Sequence, residues 1–122
     1  MIGAGSAVFA RQVMTDVLRI EGLDPGTFAL VDVDPDRLDV ARRIAERLTA
    51  QVGSDWTVVA STERADVLAG SDFVVNSIEV AGRPNVGHDY DIPLKYGVDQ
   101  CIGDTIGPGG IFKALRDRKS VV

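Results

Sequence analysis

Residues 27–52, TFALVDVDPDRLDVARRIAERLTAQV, pass from one kind of secondary structure into another with no linker between them. TFALVDVD is a nearly continuous apolar run closed by acids, the pattern of a strand buried on both faces of a parallel sheet. Asp34 then offers a helix N-cap and Pro35 the first helical position. Leu38, Ala41, Ile44, Ala45 and Leu48 repeat at the spacing of one apolar helical stripe. A strand of this kind needs neighbours. WTVVAS (56–61) reads as a second strand, ERADVLAG as a short helix, and SDFVVNSIEV as a third strand centred on Phe73 to Val75. Upstream, 8–20 reads as a helix with Val8, Val13, Val17, Leu18 and Ile20 near one face, and EGLDPG as the turn after it. Alternating strands and helices predict an α/β fold: a parallel sheet, right-handed crossovers and flanking helices.

After residue 80 the texture changes. AGRPNVGHDYDIPLKYGVDQ predicts a turn and an irregular helix, and CIGDTIGPGGIFKALR a Gly/Pro loop leading into a short helix. A length of 122 residues suits one small domain. The net charge of −5 argues against a general nucleic-acid binder, which needs a basic surface. Cys101, the single cysteine, excludes an internal disulfide. No apolar run reaches the ~20 residues of a membrane span, and no signal peptide is legible, so no membrane partner is expected and the cytoplasm is the default location.

The stretch GAGSAV (3–8) carries the first chemistry. It fits the dinucleotide-binding fingerprint G-x-G-x-x-G/A of the Rossmann fold, with Val8 in the last place. Gly3 would permit the tight turn and Gly5 the approach of a pyrophosphate. The amides of Ser6, Ala7 and Val8, at a helix start, would hold its oxygens. Val8 would pack helix against strand, more loosely than glycine. The other reading of Gly-x-Gly is an ordinary turn. The fingerprint also expects an acid at the end of the second strand, to bond the adenosine ribose. Asp32 stands there and favours NAD over NADP, whose 2′-phosphate it would repel. Asn76 ends the third strand, at the sheet edge that lines ligand crevices. It could bond a cofactor or cap the next turn.

Together, IGAGSAVFARQ, LVDVDPDRL, SDFVVNSIEVAG, IPLKYGV and GDTIGPGGIFKALR resemble glycoside hydrolase family 4, over residues 2–116. That family holds α-galactosidases, α-glucosidases, α-glucuronidases and 6-phosphoglycosidases. The resemblance implies hydrolysis of O-glycosyl bonds of a small glycoside by oxidation, elimination, addition and reduction, with NAD and a divalent metal, usually manganese. The usual pair of carboxylates does not apply. Gly3, Gly5, Ser6, Ala7, Val8, Asp32 and Asn76 match cofactor-binding positions. Asp104 matches the acid that raises the basicity of a catalytic tyrosine; on its own it would read as a loop-capping Asp. The tyrosine, the metal-binding Cys and His, and a substrate-holding Asn are implied beyond residue 122. Cys101 and His88 do not match metal positions, and His88 reads as an exposed helix residue. Val86 stands where the 6-phosphoglycosidases carry a substrate-binding Arg, which favours the α-galactosidase-like branch. The resemblance also implies a homo-oligomer at full length. A lactate/malate-type dehydrogenase and a non-catalytic nucleotide-binding module are the alternatives.

The resemblance further implies a partial cofactor domain over 1–116, truncated at its first strand and without a C-terminal substrate domain. Only Met1 and Ile2 stand for that strand. Residues 117–122, DRKSVV, are expected to be a non-native tail, since they match one frame of a common sequencing adapter. A chain so cut is expected to be marginally stable and inactive alone.

Overall fold

The computed structural model describes residues 1–53, 55–79, 82–100 and 106–119. It contains two compact units, one over Met1–Ser77 and one that begins at Ile78. In the first unit come α1 (Ala7–Val17), β1 (Thr27–Val31), α2 (Pro35–Val52), β2 (Thr57–Ser61) and α3 (Ala65–Leu68). The second unit holds α4 (Gly82–Lys95) and α5 (Pro108–Lys119).

β1 and β2 pair in parallel, from Thr27 opposite Thr57 to Val31 opposite Ser61. Two further columns extend this sheet by single bridges: Ile2 pairs with Val31 on one side and with Asn76 on the other. The Val31 amide donates to Met1 O and the Gly3 amide to Val31 O, both at 2.9 Å. On the far side the Ile2 amide donates to Val75 O and the Ser77 amide to Ile2 O, again at 2.9 Å. The columns therefore lie in the order β2, β1, Ile2, Asn76. The chain leaves the Ile2 column one way through α1 and returns to its opposite side after α3. This reversal is the doubly wound pattern of a Rossmann-like α/β fold. The strand expected within 71–80 is reduced to the bridge at Asn76. Among the described residues it pairs with Ile2 alone, and Phe73 and Val74 are exposed.

The core of this unit lies between the sheet and the two long helices. Phe28 and Leu30 of β1 meet Ala10 and Met14 of α1 and Leu38, Ala41 and Ala45 of α2. The buried stripe of α1 differs in part from the expected one. Val8 and Ile20 face solvent, and Ala10 and Met14 are buried instead. Val17 and Leu18 pack against the core as expected, and Val13 is half-buried. The small Ala10 was overlooked because an alanine weighs little in a hydrophobic count, whereas close packing on a sheet favours it. The helix also stops at Val17, and Leu18 to Ile20 form turns.

α2 forms as its ends dictate. The Asp34 side chain accepts from the amides of Asp36 and Arg37, Pro35 occupies the first turn, and Gly53 closes the helix in the left-handed region at φ 63°. On its solvent face Arg42 bridges Asp39 at 2.7 Å and Glu46 at 2.6 Å. The hydrogen bond from Arg42 holds the Asp39 carboxyl below its ordinary pKa. At the entry to the sheet Trp56 stacks on Phe28, ring centres 4.5 Å apart. Gly26 leaves room for that ring, since a Cβ there would stand 3.3 Å from it. Among the described residues, no helix is long and apolar enough to cross a membrane.

Leu30 and Met14 are the largest fully buried side chains. Leu30→Ala is expected to cost about 2–5 kcal/mol. Val33→Ala, at a fully solvent-facing position, should change stability by less than about 0.5 kcal/mol. Urea unfolding followed by Trp56 fluorescence measures both.

Candidate functional site

The carboxyl end of the Ile2 column opens into a tight turn. Gly3 takes φ 82°, in the left-handed region that glycine tolerates. Its amide and that of Ala4 both donate to Val31 O, each at 2.9 Å, and Ala4 is fully buried. From the other side the Ser77 hydroxyl donates to Gly3 O at 3.0 Å and lies 3.3 Å from Ile2 O. The turn is thus fastened to both neighbouring columns.

Asp32 makes the next link. Its Oδ2 accepts from the Gly5 amide at 2.7 Å and its Oδ1 from the Asp34 amide at 3.0 Å. One carboxylate joins the glycine turn to the residue that caps α2. Gly5 has no space for a side chain: a Cβ there would stand 2.6 Å from Asp32 Oδ2 and 2.8 Å from Arg37 Cβ. The glycine at the second fingerprint position is therefore required by the acid at the end of the neighbouring strand. A carboxylate oxygen accepts more than one hydrogen bond, so Asp32 keeps capacity for a further donor.

α1 begins at this turn. Ser6 is its N-cap by position, but its side chain makes no capping bond. The Ser6 amide turns back to Gly3 O at 3.4 Å and the Ala7 amide to Gly5 O at 3.0 Å. The amides of Val8 and Phe9 have no hydrogen-bond acceptor among the described residues. These are the orphan donors of a helix start, where the helix dipole also favours negative charge. Of the amides named from the fingerprint, Val8 is open and the other two are used within the turn, while Phe9 adds a donor that the fingerprint does not name. The Val8 side chain is 68% exposed, so it does not wedge helix against strand. Ala4 and Ala10 fill that space. Asn76 is exposed at the end of the column beside Ile2.

The structure thus places Gly3, Gly5, Ser6, Ala7, Val8 and Asp32 around one turn, with Asn76 on the adjoining column. Ser77 was missed by the sequence reading. The only signal for it is its place one residue past the bridge at Asn76, which topology alone reveals. Asp104 and Cys101 lie outside the described residues.

The second unit contains a polar brace. Arg116 holds the buried Asp89 with its two terminal guanidinium nitrogens, Nη1 donating to Oδ1 at 2.8 Å and Nη2 to Oδ2. The buried Gln100 donates to Asp89 O at 2.9 Å and accepts from the Gly109 amide at 3.1 Å. A Cβ on Gly107 would collide with the Gln100 amide, and one on Gly109 with the backbone of Asp89. Two glycines of GPGG are therefore required by packing. Sequence reasoning named neither Asp89 nor Gln100, because nothing local marks them as partners. His88 is exposed on α4, as expected.

Fold and turn together define a Rossmann-like α/β protein with a glycine turn, an open helix start and a strand-end acid at its topological switch point. The comparisons with known proteins make this specific. The model of the family 4 glycosyl hydrolases matches residues 1–122, and the chain belongs to that family. It is 40% identical over 116 residues to an α-galactosidase of Bacillus subtilis (strain 168), covering 94% of this chain and 27% of that protein. It is 38% identical over 117 residues to an α-galactosidase of Rhizobium meliloti (strain 1021), covering 96% and 24%. It is 36% identical over 117 residues to an α-glucosidase of Erwinia rhapontici, covering 95% and 26%. The chain spans about a quarter of the length of these relatives.

The two kinds of helical glycine in this second unit give opposite expectations. Gly109→Ala should loosen α4 and α5, seen as faster amide exchange confined to 82–119. At Gly87 a Cβ meets nothing within 4 Å. Gly87→Ala should therefore stabilise α4 by about 0.5–1 kcal/mol.

Proposed function

We propose that this chain is the cofactor-binding part of an NAD- and divalent-metal-dependent glycosidase, most similar in action to α-galactosidases. The observation that carries the NAD reading is the Gly3–Phe9 turn, with its open amides, beside Asp32 at the switch point of the sheet. The features fit the group. The turn presents the open Val8 and Phe9 amides at a helix start, and Asp32, which fixes Gly5, has acceptor capacity left. Val8 and Phe9 amides would bind pyrophosphate oxygens, Asp32 a ribose hydroxyl, and Asn76 would orient the cofactor from the neighbouring column. Ser6 stands beside the same amides, with its side chain uncommitted to a cap.

NAD in such a site supplies a hydride acceptor and donor for the sugar C3 position. This chain's part is to hold and orient. Asp32 excludes a 2′-phosphate by charge, so NAD is favoured over NADP. Asp104 is assigned to support proton removal by a tyrosine supplied from outside 1–122. Among the described residues no group of three or more His, Cys, Asp or Glu could hold a metal ion, and no metal step is assigned to them. Family membership favours this reading over a lactate/malate-type dehydrogenase. The α-galactosidase branch is supported by the relatives at 40% and 38% identity. The substrate is then a small α-galactoside, the location the cytoplasm, and the full-length protein a homo-oligomer. The 122 residues alone are expected to bind cofactor without turning over a glycoside.

Isothermal titration tests the proposal. NAD is expected to bind the chain, with NADP weaker by roughly tenfold or more, a difference of about 1.4 kcal/mol. Asp32→Ala should narrow that preference. Gly5→Ala should abolish binding by driving a Cβ into Asp32. Equal binding of both dinucleotides, or none of either, would contradict the assignment.

A further inference from the structure

The second unit is built with its apolar side outward. Its buried residues, among those described, are Asp89, Pro93, Gln100, Gly109 and Gly110, and none is a large aliphatic or aromatic side chain. Among the described residues, every buried hydrophobic residue of the core belongs to the first unit. α4 and α5 pack on each other and are joined by the brace of Asp89, Gln100 and Arg116. Meanwhile Tyr96 is 82% exposed and Phe112 63%, with Ile92, Leu94, Ile111 and Leu115 also at the surface.

These side chains border a cleft of about 570 Å³ between α4 and α5. Ile92, Pro93, Tyr96, Val98 and Phe112 line it, and Asp89 and Arg116 contribute its polar part. Its size would suit a small ligand. The apolar surface is larger than the cleft, since it continues along both helices at Leu94, Ile111 and Leu115. Such a surface, aromatic at its centre with an Arg beside it, has the composition of a protein interface. What it lacks is a polypeptide to complete a core. The family supplies a candidate in kind: about three quarters of the α-galactosidase relative lies outside the region matched by this chain.

We infer that the α4–α5 cleft is an internal docking surface, on which an apolar segment from the remaining part of a family 4 chain seats against Tyr96 and Phe112. The inference rests on family membership and not on the NAD assignment, and it is read without NAD.

The test replaces the matched region of the Bacillus subtilis α-galactosidase with this chain and compares the chimera with the 122-residue chain. Phe112→Cys, Tyr96→Cys and, as a control in the first unit, the exposed Val52→Cys are labelled with a thiol reagent and followed site by site by mass spectrometry. Cysteines at 112 and 96 should react at least about tenfold more slowly in the chimera, with the cysteine at 52 unchanged. Equal rates at 112 and 96 in both proteins would overturn the proposal. So would slow labelling of the 122-residue chain that recovers on dilution, which would make a second copy the occupant. A chimera that is insoluble where the parent is soluble also counts against it, since the two surfaces would then not match.

Discussion

The carboxylate of Asp32 is the constraint on which the candidate site depends. It grips the Gly5 amide with one oxygen and the Asp34 amide with the other. Asp34 in turn caps α2. A single side chain thus ties the turn before α1 to the start of α2, and those two helices form one face of the core. Without it the turn would still be fastened to Val31 and Ser77, but the amide of its second glycine would lose its acceptor. The same contact explains why position 5 must be glycine, since any Cβ would occupy the space of the carboxylate.

A second constraint is the narrow Ile2 column. Its hydrogen bonds run to both sides, to β1 and to Val75–Ser77. Parallel columns on both flanks with the crossover reversing between them are what create the crevice at the switch point. The column contributes a single bridge to each side, and the apolar stretch at 73–75 is correspondingly not drawn into a strand.

Much of this was legible locally. The cap at Asp34, Pro35 and the stripe of α2 follow from side-chain chemistry over a few residues, and the structure reproduces them. β1 was legible because a buried parallel strand has a continuous apolar signature, whereas β2, none of whose residues is buried, was legible as a short β-branched run. Legibility failed where the deciding partner is distant in sequence. Ser77 reaches a turn more than 70 residues earlier. Asp89 and Arg116 were unremarkable charged residues until the packing of α4 on α5 brought them together. The stripe of α1 was legible at Val17 and Leu18, which pack on the core, but not at Ala10, because which residue is most deeply buried depends on how closely the sheet approaches, and a small alanine permits that approach.

The central claim is that the Gly3–Phe9 turn beside Asp32 holds a dinucleotide. It is tested most directly by following backbone amide resonances of the 122-residue chain during titration with NAD. The account predicts that the largest shifts fall on Gly5, Val8, Phe9, Asp32 and Asn76, with the resonances of α5 unmoved. Shifts spread evenly over the chain, centred on α4 and α5, or absent at millimolar NAD would contradict it.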